Sequence, residues 1–521
     1  MKIRDYEVKE MREAFEAKGY KLPQFDRSKV KENTLREPTW IHFGAGNIFR
    51  AFPAAVLQKL LDKGIYDKGI IVGEGFDYEI IEKAYKPYDS LSLLVTLKAD
   101  GTIDKEIIAS VVDAHVVSDD ETSAEWQEFC RLFREPSLQM VSYTITEKGY
   151  GFFKNGIMEK TAKLLYERFK AGAYPIAMVS MDNCSHNGDK LKSVVLGYAK
   201  QWVEEGSAEP EFLDYLSDSK KVSFPWSMID KITPRPDAKV QEMLAADGFE
   251  DNDLIITSKN TYTSAFVNAE EVQYLVIEDS FPNGRPPLEE GGIYFADRET
   301  VDKVEKMKVC TCLNPLHTSL AIYGCLLGHK LICDEMKDEE LAKLVNRLGY
   351  IEGMPVVTDP GIISPKTFID EVVYKRLPNP FMPDAPERIA TDTSQKLPIR
   401  FGETLKSYIE KGMDVSELIA VPLVIAGYFR YLMGVRDNGE AFTPSPDPLL
   451  TELQEYVADV KLGQGKLSDV QRENVVKFLG RKDVFAVDLN EIGLADKIIG
   501  LFEELIVGEG AVRAVLRKYL D

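Results

Sequence analysis

The order of apolar and polar positions predicts strands that alternate with helices over the N-terminal half of the chain. A short apolar run at 39–43 leads into a glycine-containing turn, and apolar residues then recur at helical spacing from 52 to 61. Further β-rich runs at 69–73, 139–145 and 177–180 each lead into polar clusters. Such alternation is typical of a parallel sheet covered by helices. We therefore predict an α/β fold with a Rossmann-like dinucleotide-binding domain at the N-terminus.

Beyond about residue 295 the pattern changes, because apolar residues recur only at helical spacing. A turn-rich stretch at 281–292 precedes this change. The last helix is expected at 489–520. We predict two domains: a Rossmann-like NAD-binding domain with an N-terminal extension at 1–295, and a mostly α-helical substrate and catalytic domain at 296–521.

Composition restricts the class of partner. The 521 residues are 44% apolar and carry a formal net charge of −21, spread along the chain. An acidic surface argues against nucleic acid or an anionic membrane as partner. The N-terminus lacks the apolar core of a secretory signal, and the run 418–429 is too short to span a bilayer. A cytoplasmic protein is expected.

Cysteine and histidine usage gives no indication of a metal site. The six cysteines show no second pair at zinc spacing, and none of the five histidines belongs to an H-x-x-x-H pattern. The cysteines are expected to be small buried hydrophobic side chains or free thiols without a chemical role. No metal is predicted.

The first strand leads into a candidate cofactor turn containing Gly44, Gly46 and Asn47. Glycines at this place let backbone amides approach a pyrophosphate, although the third glycine of the usual fingerprint is missing. Glu74 and Asp77 follow the second strand, where an acid holds the adenosine ribose in dinucleotide folds. An acid without a nearby arginine favours NAD over NADP. A solvated loop acid is the alternative for either residue.

The strongest candidate chemistry lies at 308–320, KVCTCLNPLHTSL. Asn314 and His317 are three residues apart and would share one face of a helix. A lysine as base, an amide as oxyanion donor and an imidazole can together oxidise an alcohol without a metal. An ordinary helix start with polar caps is the alternative for Lys308, Asn314 and His317.

Several separate sequence motifs, spread from about residue 38 to residue 400, resemble motifs of one known family. They are HFGAGNIFRAF at 42–52, TITEKGY at 144–150, SMDNCSHNG at 180–188, FPWSMIDKITP at 224–234, VIEDSFPNGRP at 276–286, EKMK at 305–308 with NPLH at 314–317, and RIATDTSQKLPIR at 388–400. In this order they resemble the long-chain mannitol dehydrogenase family, the metal-independent polyol and sugar-acid dehydrogenases. The resemblance implies an NAD-dependent oxidoreductase.

The resemblance also implies catalytic roles. Lys308 resembles the general base, Asn183 and Asn314 resemble the oxyanion donors, and His317 resembles a group that positions the substrate. Glu305 resembles the family's gate on proton exit to solvent. Polar contacts to the substrate chain are implied for Asp230, Arg388 and Lys396.

One spacing departs from the family pattern. Five residues separate Lys308 from Asn314, where the family has four. The preceding E-x-M-K fits Lys308 as it stands, so we expect a one-residue bulge just after this lysine. Lys306 is the rival for the role of base.

The segments with NPLHTSLA and DTSQKLPIR most resemble the branch that interconverts D-mannonate and D-fructuronate. A sugar-acid carboxylate calls for extra cations, and the candidates are Arg376, Arg388, Lys396 and Arg400. The alternative for these residues is that they are surface charges on helices. Tagaturonate with altronate, or mannitol with fructose, are the alternative substrate pairs. A non-catalytic NAD-binding regulatory protein is the alternative of a different class. A monomer or a homodimer is expected.

Overall fold

The structure is a computed structural model that describes residues 1–521, and the chain forms two compact units. The first comprises 1–98 and 102–302, and the second comprises 99–101 and 303–521. The first unit holds every strand, and the second is helical. No helix combines the length and the apolar character needed to cross a bilayer.

Fifteen strands are present. They are β1 Tyr20–Lys21, β2 Trp40–Phe43, β3 Ile70–Glu74, β4 Ser92–Leu97, β5 Ile103–Ile108, β6 Val111–Val116, β7 Met140–Tyr143, β8 Ile176–Ser180, β9 Val222–Ser223, β10 Ser227–Asp230, β11 Ile255–Ile256, β12 Tyr262–Thr263, β13 Phe266–Glu270, β14 Tyr274–Glu278 and β15 Tyr294–Ala296.

Ten α-helices begin before residue 303. They are α1 Lys9–Ala17, α2 Arg27–Arg36, α3 Asn47–Ala51, α4 Pro53–Asp62, α5 Ala124–Arg134, α6 Ile157–Gly172, α7 Asn187–Glu204, α8 Pro210–Ser217, α9 Ala238–Ala246 and α10 Arg298–Lys306. Thirteen follow: α11 Asn314–Leu327, α12 Ile332–Glu335, α13 Glu339–Asn346, α14 Pro365–Glu371, α15 Pro386–Ile389, α16 Thr393–Leu397, α17 Glu403–Glu410, α18 Ala420–Leu432, α19 Leu450–Glu455, α20 Asp469–Leu479, α21 Lys482–Phe485, α22 Ala495–Leu505 and α23 Ala511–Leu520.

The main sheet has six parallel strands in the order β6-β3-β2-β7-β8-β9. Both of its faces are buried, as parallel sheets require. Trp40 belongs to the apolar cluster that includes α4, whereas Ile41 and Phe43 belong to the cluster that includes α5 and α6. The carboxyl ends of these strands meet at one edge, where α/β sheets bind ligands. The predicted α/β fold class is confirmed.

Three smaller sheets complete the first unit. Their strand orders are β1-β5-β4-β13, β10-β14-β15 and β11-β12. Strand β10 runs antiparallel to β14, and Asp230 lies opposite Tyr274 at its end.

The second unit is organised around α11 and α18, whose residues are almost all buried. A capping box of Ser468 and Gln471 is present at the start of α20. The single helix expected at 489–520 is wrong, because the structure has α22 and α23 there. Gly510 precedes α23 with a φ of +77°, a left-handed conformation that ends helical continuity.

A buried acid lies beside α11 without a hydrogen-bond partner. Glu335 is fully buried, and neither of its carboxyl oxygens is bonded. A Cβ on Gly324 would lie 1.9 Å from its Oε1, so only glycine leaves room for this carboxyl. Burial raises the pKa of Glu335 well above 4.5, and the carboxylates of Asp338 and Glu387 raise it further.

This raised pKa gives a pH-dependent stability. Above pH 4.5 the unfolded chain loses the Glu335 proton while the folded chain keeps it, so the free energy of unfolding falls as pH rises. We expect Glu335→Gln to flatten this slope, because glutamine does not titrate. The free energy of unfolding of the variant should therefore improve relative to that of wild type by at least about 1 kcal/mol between pH 5 and pH 8. Chemical denaturation of both proteins at the two pH values measures it. Parallel pH dependences in wild type and variant would contradict the assignment.

Candidate active site

The turn after β2 has the geometry of a dinucleotide cradle. Gly44 has a φ of +103°, and a Cβ there would lie 2.2 Å from the carbonyl oxygen of Thr144. A Cβ on Gly46 would meet nothing within 4 Å, so the backbone is approachable on that side. Glycine is therefore required at the first position by sterics, and the second leaves space for a ligand.

A buried histidine network braces this turn from β2 and β7. His42 hydrogen-bonds Ser142 Oγ at 2.6 Å and Thr144 Oγ1 at 2.9 Å. Its ring also stacks on Phe49 of α3, with centroids 4.0 Å apart. Burial lowers the pKa of His42 to about 3, so the ring is neutral at ordinary pH.

Glu74 ends β3 and joins two loops at the carboxyl edge of the sheet. Its carboxylate accepts hydrogen bonds from the amides of Ala45 at 2.9 Å, Phe76 at 2.8 Å and Asp77 at 3.1 Å. Burial raises its pKa despite these bonds. Asp77 is also buried, and its carboxylate accepts from Thr257 Oγ1 at 2.6 Å. Asp77 thus fastens the β11–β12 hairpin, while Glu74 borders the glycine turn.

The side chain of Asn47 is engaged inside the first unit. Its Oδ1 accepts from Arg50 Nη2 at 2.8 Å, and its Nδ2 donates to the Tyr262 carbonyl at 3.3 Å. Arg50 is buried and also donates to the Ser264 carbonyl at 2.7 Å. These bonds tie α3 to β12 and to the link between β12 and β13.

Asn183 is exposed in the loop after β8, and a buried acid shapes that loop. Asp182 accepts from the amides of Ile145 at 2.9 Å and Thr146 at 2.8 Å, and from Tyr150 OH at 2.6 Å. Burial raises the pKa of Asp182. The Asp182 bonds join the loop after β7 to the loop after β8.

Asn187 connects the same loop to β10. Its Nδ2 donates to the carbonyls of Asp182 at 3.0 Å and Ser227 at 3.1 Å. Its Oδ1 accepts from the amide of Ser227 at 3.0 Å. Asp230 lies buried at the other end of β10. Asn183 and Asp230 are thus carried by directly connected elements of the first unit.

In the second unit, Lys308 lies in a π-helical segment, Met307–Cys312, that joins α10 to α11. A π-helical turn holds one more residue than an α-helical turn. The predicted one-residue bulge is therefore confirmed. Lys308 is 4% exposed, whereas Lys306 is exposed and Glu305 is half-buried.

Asn314 and His317 lie in the first turn of α11, as their spacing predicts. The side-chain amide of Asn314 is half-buried and makes no hydrogen bond within the protein. His317 Nε2 lies 3.6 Å from Asp384 Oδ2. Burial lowers the pKa of His317 to about 4 although Asp384 acts to raise it, so the ring is neutral at ordinary pH.

Three guanidinium groups, those of Arg376, Arg388 and Arg400, lie close enough to His317 to affect its charge. Lys396 in turn lies near Arg388 and Arg400. Arg388 pairs with Asp384. Lys396 donates to the carbonyls of Ile389 and Thr391, and burial, followed by Arg400, lowers its pKa to about 8. Arg400 donates from Nη1 to the Asn314 carbonyl at 3.4 Å and to Thr318 Oγ1 at 2.5 Å. Burial lowers the pKa of Arg400 to about 10.

Sequence reasoning missed Asp384, Asp182 and Asn187 as structural partners of the candidate residues. Asp182 and Asn187 stand in the polar cluster after β8, so their position at a strand end was the available signal. Asp384 precedes Arg388 by one helical turn, a common ion-pair spacing that does not identify a site.

The chain matches two family profiles. One is described as the mannitol dehydrogenase Rossmann domain and covers 38–290, and the other as the mannitol dehydrogenase C-terminal domain and covers 300–505. D-mannonate oxidoreductase of Thermotoga maritima is 52% identical to this chain, over 97% of each sequence. Polyol:NADP oxidoreductase of Gluconobacter oxydans is 27% identical, over 84% of this chain and 87% of that protein.

A solved structure, substrate-free D-sorbitol dehydrogenase, has the same fold. It superposes with a TM-score of 0.78 at 24% identity, over 96% of this chain and 97% of that one. At this identity the likeness concerns the fold alone. The family profiles and the Thermotoga relative confirm the prediction of an oxidoreductase with a Rossmann domain and a helical C-terminal domain.

Proposed function

Because the chain belongs to the mannitol dehydrogenase family, we propose that it interconverts a secondary alcohol and a ketone on a linear sugar acid. D-mannonate and D-fructuronate are the proposed pair, with NAD(H) as cofactor and no metal. The name of the Thermotoga relative, D-mannonate oxidoreductase, supports this substrate pair.

The observation that carries the sugar-acid assignment is the group of cations around His317. Arg376, Arg388 and Arg400 lie near the imidazole, and Asp384 is the acid beside it. Lys396 extends the group, because it lies near Arg388 and Arg400. A protein with a net charge of −21 concentrates positive charge here. Arg400 is partly buried and bonded only to neutral acceptors, and such a charge is costly unless an anionic ligand compensates it. A sugar-acid carboxylate is such a ligand, whereas a polyol is not.

The glycine turn and Glu74 fit the cofactor. The open side of Gly46 admits a pyrophosphate, and Glu74 ends β3 where Rossmann domains hold the adenosine ribose. Glu74 still has an acceptor site beyond its three amide bonds, since a carboxylate accepts about four hydrogen bonds. Bound NAD supplies the hydride acceptor.

The protein side chains supply the proton transfer and the oxyanion contacts. We assign Lys308 as the base that takes the hydroxyl proton, and its burial, against the exposure of Lys306, supports this. Asn314 and Asn183 are assigned to donate to the substrate oxygen. Neutral His317 positions the substrate, with Asp230, Arg388 and Lys396 as further polar contacts. Glu305 is assigned to proton exit.

A substrate screen tests the proposal. With NADH, we expect reduction of D-fructuronate at a kcat/KM at least about 100-fold above that for fructose, the scale of one lost charge-assisted contact. Tagaturonate is the matched sugar acid and reports on stereochemistry. Reduction of fructose but of neither sugar acid would contradict the proposal. NADH binding without turnover of any of the three would indicate a non-catalytic regulatory protein.

A further inference from the structure

Arg400 differs from Arg388 in having no acidic partner. The guanidinium of Arg388 is paired with Asp384, and the ammonium of Lys396 is held by two backbone carbonyls. Arg400 contacts only the Asn314 carbonyl and the Thr318 hydroxyl, both on α11. Its charge is therefore fixed in place by neutral groups and left uncompensated.

The geometry leaves one edge of this guanidinium available. Both bonds of Arg400 leave from Nη1, which has two hydrogens. Nε and Nη2 donate to no protein acceptor, and neither is sealed from solvent. Together they form the edge on which a guanidinium binds a carboxylate through two parallel hydrogen bonds.

We propose that the Nε–Nη2 edge of Arg400 binds the substrate carboxylate and so sets the preference for sugar acids over neutral ketoses. This inference rests on the proposed function, because it needs a substrate with a carboxylate. Thr318 and the Asn314 carbonyl hold the guanidinium in a fixed orientation. Asn314 also carries the side-chain amide assigned to the reacting oxygen. The first turn of α11 therefore supplies a donor to that oxygen and also holds the arginine that binds the carboxylate.

Arg400→Gln tests this assignment. We expect its KM for D-fructuronate to rise by about 100-fold, the scale for losing one side of a charge-assisted pair. The kcat/KM for fructose should change by less than about 3-fold, because a neutral ketose has no group for this edge. The affinity for NADH, measured by fluorescence titration without substrate, should stay unchanged. Arg400→Lys should recover part of the loss, since an ammonium keeps the charge but not the paired geometry.

Two further variants keep the test decisive if Arg400→Gln folds poorly. Thr318→Val removes the hydroxyl that orients Arg400 and should raise the KM for fructuronate while sparing fructose. Lys406→Gln is the matched control, because Lys406 is a half-buried cation on α17 paired with Glu403 at 2.7 Å. It should match wild type with both substrates.

The outcomes separate this inference from the proposed function. If Arg400→Gln reduces fructuronate with the kinetics of wild type, the role proposed for Arg400 is wrong. The proposed function is not affected by that result. Equal losses on fructuronate and fructose would also overturn the role of Arg400, because Arg400 would then act by holding Asn314. A wild-type enzyme that reduces only fructose would overturn the proposed function itself, and the carboxylate site with it.

Discussion

Replacing Lys308 by alanine is expected to lower kcat by about a hundred- to ten-thousand-fold, the range for loss of a general base. Lys308 is buried just before α11, so no water or neighbouring lysine replaces it easily. The affinity for NADH should barely change, because the lysine is assigned to the substrate. Steady-state kinetics with D-fructuronate and a fluorescence titration of NADH measure the two quantities.

Lys306→Ala is the matched control for this experiment. Lys306 is exposed at the end of α10, and its loss should leave kcat within about 2-fold of wild type, as for an ordinary surface position. Addition of a primary amine should restore part of the activity of Lys308→Ala. A fully active Lys308→Ala beside an inactive Lys306→Ala would move the base two residues back. Wild-type rates in both variants would exclude a lysine mechanism.

The largest effect on stability is expected at Glu352. Its buried carboxylate accepts from the amides of Ile419 at 2.8 Å, Ala420 at 2.7 Å and Val421 at 2.9 Å, and pairs with Arg347 at 3.2 Å. It therefore replaces the missing side-chain cap of α18, the buried helix at the centre of the second unit. Glu352→Ala leaves these amides and Arg347 uncompensated. We expect a loss of about 3–5 kcal/mol in the free energy of unfolding.

Asp26→Ala provides the comparison for Glu352→Ala. Asp26 caps α2 through a single bond to the amide of Lys29 at 3.0 Å, at an exposed position. Its loss should cost about 1 kcal/mol, the usual value for a helix cap. Urea denaturation monitored by circular dichroism measures both. Equal effects of the two substitutions would contradict the special role of Glu352.

The chain's local patterns predicted the sheet and the glycine turn, because periodicity and glycine sterics act over a few residues. The strand at 39–43 and the turn at Gly44 follow from apolar spacing and from the absence of a Cβ. The shared face of Asn314 and His317 follows from helix geometry. Even the π-helical turn after Lys308 could be predicted, since one surplus residue must be absorbed locally.

The partners of these residues were decided by the tertiary structure. Glu352 meets the start of α18 more than 60 residues later, and Asp77 meets Thr257 across 180 residues. No periodic pattern encodes such pairs, because they depend on how elements pack rather than on their own spacing. The same holds for Arg400, which the sequence offers as one of four cations. Only the fold pairs Arg388 with Asp384 and leaves Arg400 on neutral groups, because burial and distance assign the available counter-charge.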